Sequence, residues 1–171
     1  MSITDQELSA LYERYAHILF RRCRAILGSE EDAHDAVQET FAKVLRHSDE
    51  FRAESSPLTW MYRISTNWCL NQLRNRHGRA QKLGLHGDYV MPTDISGTIT
   101  SDQDKLRELL ATVDAETRAC VIHTYFDDCT RQETAYLVGL SVPTVRKRVN
   151  DFIELARQQW GDDTVSAWGA P

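Results

Sequence analysis

The stretch TRQETAYLVGLSVPTVRKRVNDFIELA, residues Thr130–Ala156, decides how this chain is built. Thr130 and Glu133 form a T-x-x-E capping box, in which each side chain bonds the other residue's backbone N–H and a helix begins. That short helix has to stop at Gly139, because the reversal there needs a residue that tolerates positive φ. Ser141 offers the cap of a second helix, and Pro143 is acceptable only because it falls in that helix's first turn. Ala135 is small, as close helix crossing requires, and the β-branched Val145 stands ten residues beyond it. Val145, Val149, Phe152, Ile153, Ala156 and Trp160 then recur at helical spacing as one buried stripe. Small residue, glycine turn and β-branched anchor make a helix-turn-helix.

The stripe dictates what faces outward. Thr144, Arg146, Lys147 and Asn150 project from the N-terminal half of the second helix, where a recognition helix meets base edges and phosphates. Arg and Lys suit guanine edges or phosphate, and Asn can read adenine. Charge alone favours a solvated face on a structural hairpin; the capping box, glycine turn and proline start reverse that in favour of DNA binding.

Upstream, the patterning is helical almost throughout. Leu8, Leu11, Tyr12, Tyr15, Leu19, Cys23, Ile26 and Leu27 recur at steps of three and four, predicting a helix over 6–27 that Gly28 ends. Ser29 caps a second helix whose first turn carries Glu30, Glu31 and Asp32. Its apolar face holds Ala33, Val37, Phe41, Val44 and Leu45. Asp35, Gln38, Glu39, Lys43 and Arg46 are left for solvent or for a protein partner. A third helix is expected from Pro57, behind a Ser56 cap, to about residue 76. In it Leu58, Met61, Ser65 and Trp68 can pack inward, while Arg63, Asn67, Asn71 and Arg74 form a polar stripe beside Trp60, extended by Arg76, His77 and Arg79. Such a stripe suits single-stranded or distorted DNA, with bases stacking on rings and Arg holding the backbone, and equally suits plain solubility. Glu54, Ser55 and Ser56 could edge a pocket for an extruded base.

Residues 78–102 hold four of the eight glycines and no helical repeat. This predicts an all-α chain of two small domains, 1–79 and 103–160, joined by a flexible linker at 80–102, with a frayed tail at 161–171. In the second domain Leu106, Leu109, Leu110 and Val113 form one stripe, and Ala119, Val121, Ile122, Tyr125 and Phe126 populate a helix capped by Asp114.

Charge narrows the function classes. The 171 residues carry 20 Lys and Arg against 25 Asp and Glu, net −5, so bulk charge does not hold nucleic acid. Residues 1–50 sum to −4 and residues 51–79 to +4, which makes any phosphate contact local. The N-terminus has neither a basic start nor an apolar core, no run approaches the ~20 apolar residues of a membrane span, and a cytoplasmic protein is expected. Cys23, Cys69, Cys120 and Cys129 never form C-x-x-C, and buried free thiols are expected over metal ligation even though Cys120, His123 and Cys129 are near in sequence. No glycine-rich phosphate loop, G-x-S-x-G or H-E-x-x-H is present, so neither an enzyme nor a cofactor-dependent protein is expected.

Three segments in fixed order, DAHDAVQETFAKVLR, FRAESSPLTWMYRISTNWCLNQLRNR and LRELLATVDAETRACVIHTYFDDCTRQETAYLVGLSVPTVRKRVNDFIELAR, resemble the bacterial sigma factors of the two-domain extracytoplasmic-function class. The resemblance covers about residues 8–79 and 104–158. It implies that Asp35, Gln38, Glu39 and Lys43 contact core RNA polymerase at the β′ clamp coiled coil. It implies −10 recognition and melting by Arg52, Glu54, Ser55, Ser56, Trp60, Arg63, Asn67, Asn71 and Arg74. Thr144, Arg146, Lys147 and Asn150 would enter the major groove at the −35 element, and an anti-sigma factor would hold the protein in check. The competing expectation is a stand-alone helix-turn-helix regulator with an N-terminal sensing or dimerising module.

Overall fold

The computed structural model describes residues 4–47, 56–82 and 101–161. These hold seven helices: α1 (Asp5–Leu27), α2 (Glu30–Arg46), α3 (Pro57–Lys82), α4 (Ser101–Thr112), α5 (Ala115–Tyr125), α6 (Arg131–Val138) and α7 (Val142–Trp160). They divide into two compact units, α1–α3 and α4–α7.

In the first unit the three helices pack against one another. α1 starts at a capping box absent from the sequence reading: Thr4 Oγ1 accepts from the Glu7 N–H at 3.3 Å, and the Thr4 N–H donates to Glu7 Oε2 at 2.8 Å. Gly28 closes α1 in the left-handed region at φ 72°, and Ser29 Oγ accepts from the Asp32 N–H at 3.3 Å to open α2. The core combines Leu19, Cys23, Ile26 and Leu27 with Ala33, Ala36, Val37, Phe41 and Val44, and with Met61, Tyr62, Cys69 and Leu70 from α3. Two buried hydroxyls satisfy themselves on their own helices, Thr40 Oγ1 to Ala36 O at 2.7 Å and Ser65 Oγ to Tyr62 O at 3.1 Å.

Three expectations change here. Leu45 is 48% exposed, because at the end of α2 only Val44 of that adjacent pair stays under cover and a one-residue step turns the side chain by about 100°. Trp68 is half-buried. α3 runs on through Gly78 to Lys82, past both the expected helix end near 76 and the domain end at 79. A single glycine in a helix costs only about 1 kcal/mol relative to alanine and does not stop one. Of the expected linker, residues 83–100 lie outside the described residues, as do the loop at 48–55 and the tail at 162–171.

In the second unit α5 lies at the centre, packed on α6 and α7, with every residue from Thr117 to His123 buried. A helix covered on all sides shows little amphipathic signal. Arg118, only 4% exposed, donates from Nε to Leu110 O at 2.8 Å and from Nη2 to Val113 O at 3.1 Å, serving carbonyls left open where α4 ends. Thr112 Oγ1 takes Leu109 O at 2.7 Å. Leu109, Leu110, Leu137, Val138, Val145, Val149, Phe152, Ile153 and Ala156 complete the core. Each large apolar side chain buried there contributes roughly 1.5–3 kcal/mol. Phe126, expected within this helix, is instead its C-cap and is 52% exposed where the chain turns away. Trp160 ends the α7 stripe half-buried.

Candidate nucleic-acid and partner interfaces

The helix-turn-helix is α6, a turn at Gly139 and α7. Thr130 Oγ1 accepts from the Glu133 N–H at 3.2 Å while Glu133 Oε2 accepts from the Thr130 N–H at 2.8 Å. These bonds hold the Glu133 carboxyl below its ordinary range, the backbone bond being the larger cause. Gly139 adopts φ 73°, and its N–H and that of Leu140 both return to Ala135 O, at 2.9 and 3.1 Å. Ser141 Oγ then accepts from the Thr144 N–H at 3.3 Å, with Pro143 in the first turn of α7. Val145 and Val149 are wholly buried, which settles the roll of α7 about its axis.

That roll brings Arg146, Lys147 and Asn150 to one exposed face, where they line a shallow depression with Val142, Pro143 and Asp151. Thr144 is half-buried, and its hydroxyl pairs with Ser141 Oγ at 2.8 Å as part of the cap. Asp151, overlooked by sequence reasoning, accepts from Lys147 Nζ at 2.6 Å. An i,i+4 check of the reading face would have found it.

Arg148 lies between these residues in sequence but turns toward α5. Its Nη1 donates to Asp114 Oδ1 and Oδ2 at 2.9 Å and to Thr117 Oγ1 at 2.8 Å, and its Nη2 donates to Glu116 Oε2 at 2.8 Å. Burial would raise the Asp114 carboxyl, but bonds from Thr117 and the Arg148 charge hold it below the ordinary range. The N-terminus of α5 thereby anchors the helix that carries the exposed face of Arg146, Lys147 and Asn150.

On α3, Ser56 Oγ accepts from the Thr59 N–H at 3.1 Å, so this expected −10 residue serves as the helix cap. Arg63, Asn67, Asn71 and Arg74 all come out exposed along one side, with Trp60 half-buried near the start of the helix. Arg74 Nη1 donates to Asn71 Oδ1 at 3.1 Å. Arg52, Glu54 and Ser55 lie outside the described residues. Arg76, expected to extend the basic end, instead grips Asp32 with both guanidinium nitrogens, Nη1 to Oδ2 at 2.7 Å and Nη2 to Oδ1. The Arg76 bond holds the Asp32 carboxyl below its usual range.

On α2, Asp35, Gln38 and Glu39 are exposed and Lys43 is half-buried; Glu39 lies 3.7 Å from Arg46. Cys23, Cys69 and Cys120 are buried, and burial pushes the Cys120 thiol up to about 12. Burial, with the Cys23 thiol beside it, also raises Cys69. His123 Nδ1 lies 2.8 Å from Asp127 Oδ2, both side chains buried. Among the described residues no group of three or more His, Cys, Asp or Glu could hold a metal ion, and no helix is long and apolar enough to cross a membrane.

Two family models match, Sigma-70 region 2 over residues 11–79 and Sigma-70, region 4 over residues 103–150, one on each unit. The chain belongs to the extracytoplasmic-function sigma factors. It is 25% identical over 172 residues to the ECF RNA polymerase sigma factor SigW of Bacillus subtilis, covering 92% of this chain and 91% of that one. Its fold is similar to that of the sigma factor RpoE in complex with the anti-sigma factor NepR from Bartonella quintana, at TM-score 0.73 and 19% identity, over 90% of this chain and 96% of that one. It is also similar to CnrH in complex with the cytosolic domain of CnrY, at TM-score 0.59 and 23% identity, over 96% and 88% of the two chains. As a sigma factor the protein directs promoter-specific initiation and is not itself an enzyme, and the match on both units displaces the reading as a stand-alone regulator.

Proposed function

We propose that the two units, one ending with α3 at Lys82 and the other beginning with α4 at Ser101, act as separate promoter contacts of one initiation factor joined by a linker. Arg146, Lys147 and Asn150 read the −35 element in the major groove, with Thr144 at the capped start of the helix. Trp60, Arg63, Asn67, Asn71 and Arg74, with Arg52, Glu54, Ser55 and Ser56, recognise the −10 element and help melt it. Asp35, Gln38, Glu39 and Lys43 dock on the β′ clamp coiled coil of core RNA polymerase. The protein works in the cytoplasm under an anti-sigma factor, a partner that both related structures carry.

The observation that carries the −35 assignment is the sorting of charges on α7. Arg148 is spent on Asp114 and Glu116, while Arg146 and Asn150 stand exposed on a helix rolled into place by buried Val145 and Val149. With a net charge of −5, the isolated chain has little general attraction for phosphate and relies on the polymerase for most backbone contacts. The test is in vitro transcription with core enzyme over a promoter library. The purified protein alone binds promoter DNA weakly, added core enzyme gives sequence-specific initiation, and the pair R146A/K147A removes dependence on the upstream element while R63A/N67A/N71A slows strand opening. Tight binding by the isolated chain, or start-site selection untouched by both sets, refutes the assignment.

A further inference from the structure

Among the described helices α3 alone has no Asp or Glu: its 26 residues carry Arg63, Arg74, Arg76, Arg79 and Lys82 and no acid, in a chain of net charge −5. Arg76 turns back to Asp32. Asn67, Asn71, Arg74, Gly78 and Lys82 follow one another at steps of four, three, four and four, which keeps them on one side of the helix. The Asn, Arg and Lys residues of that row are all exposed. Gly78 thus stands between two cations at a position where the row would otherwise carry a side chain.

Nothing in the described protein accounts for a glycine there. No described residue comes within 4 Å of where its Cβ would stand, so close packing does not require it. Its φ is not positive, so no turn requires it either. In mid-helix it costs about 1 kcal/mol relative to alanine. What a missing side chain does provide is room for a group from outside to come close to the helix backbone.

The neighbouring residues say which group. Two flanking cations on a helix without acids select an anion. The rings of α3, Trp60, Tyr62 and Trp68, all precede Cys69. Opened bases need rings to stack on, whereas cations and amides without rings suit phosphate. We infer that Gly78 forms a notch in the exposed face of α3, in which a phosphate strand of the paired DNA adjoining the −10 element lies, held from either side by Arg74 and Lys82. Gly78 is thus a positioning residue: it lets the strand approach until both cations reach it. This rests on the assignment of the α3 row to the −10 element.

The experiment measures promoter affinity of the full chain with core polymerase over a range of salt, comparing the parent with G78A, G78L, K82A and R63A/N67A/N71A. Alanine and leucine are both good helix formers, so both Gly78 variants stiffen α3 and differ chiefly in bulk. Urea denaturation and core-enzyme affinity show them folded and assembled. G78L weakens promoter binding about tenfold, the size of one lost charge-assisted contact, and G78A about twofold. K82A lowers the slope of log affinity against log salt by about 1. Equal behaviour of G78A and G78L overturns the inference, because the glycine then acts through helix stiffness alone; so does parent-like binding by G78L, or an unchanged salt slope in K82A. Strand opening unchanged in R63A/N67A/N71A instead removes the −10 assignment itself.

Discussion

α3 and α7, the helices proposed to carry the two nucleic-acid faces, each commit one arginine to a contact within the protein. On α3 it is Arg76, beyond the exposed row from Arg63 to Arg74, clamped on Asp32 in the first turn of α2. On α7 it is Arg148, between the reading residues, clamped on the cap and first turn of α5. Both guanidiniums end at the positive end of another helix, where the acidic residues are already favoured by the helix dipole. The difference is one of position. The α7 anchor sits among the residues that read, so the angle of the reading face is tied directly to α5. The α3 anchor secures one end of a long helix and leaves the exposed row free of it. An arginine count along a DNA-facing helix therefore overstates the groups available to DNA.

The sharpest way to break that comparison is R148A. It removes four charge-assisted hydrogen bonds and leaves Asp114 and Glu116 facing each other, and is expected to cost the second unit about 2–3 kcal/mol in urea denaturation. R148K keeps the charge without the planar fork and recovers only part of the loss. A stability equal to the parent's would show that the cluster is a surface ornament.

R76A is expected to cost less, about 1–2 kcal/mol, because it removes one bidentate pair that is partly open to water. Its pH signature sharpens the point. The Asp32 carboxyl is depressed in the folded chain, as is that of Asp114. Such groups add stability above the unfolded carboxylate value and lose it as pH falls through the folded one. The thermal midpoint should therefore hold between about pH 8 and 5 and drop below about pH 4, with a shallower acid limb in R76A and in R148A.

Capping variants are the smallest test, and the one in which the two units should behave alike. S29A, at the start of α2, and S141A, at the start of α7, each lose an N-cap hydrogen bond and should cost about 1 kcal/mol. A much larger loss of upstream-element selectivity than of stability in S141A would show that the cap also aims the reading face.

Much of the fold is legible from short-range pattern. The Thr130–Glu133 box, the Gly139 turn and the Ser141 cap are all local, and all form as the spacing dictates. The row Arg63, Asn67, Asn71 and Arg74 is exposed as its steps of four, four and three imply. What stayed hidden is long-range. Arg76 finds Asp32 across 44 residues, and Arg148 finds Asp114 across 34. Arg118 is illegible for another reason: a helix buried all round gives no polar stripe to mark which charge turns inward. Leu45 and Phe126 mark the opposite limit, since periodicity tells which way a side chain points but not where its cover ends.

Gly78 leaves α3 with a slack reserve. Nothing lies within 4 Å of where its side chain would be, so no packing compensates for the poor helix former at that point. A helix advances 1.5 Å per residue and an extended chain about 3.4 Å, so releasing the four residues after Gly78 would add roughly 8 Å of reach. G78A puts a better helix former into that open space and should hold the end of α3 more firmly, by about 1 kcal/mol.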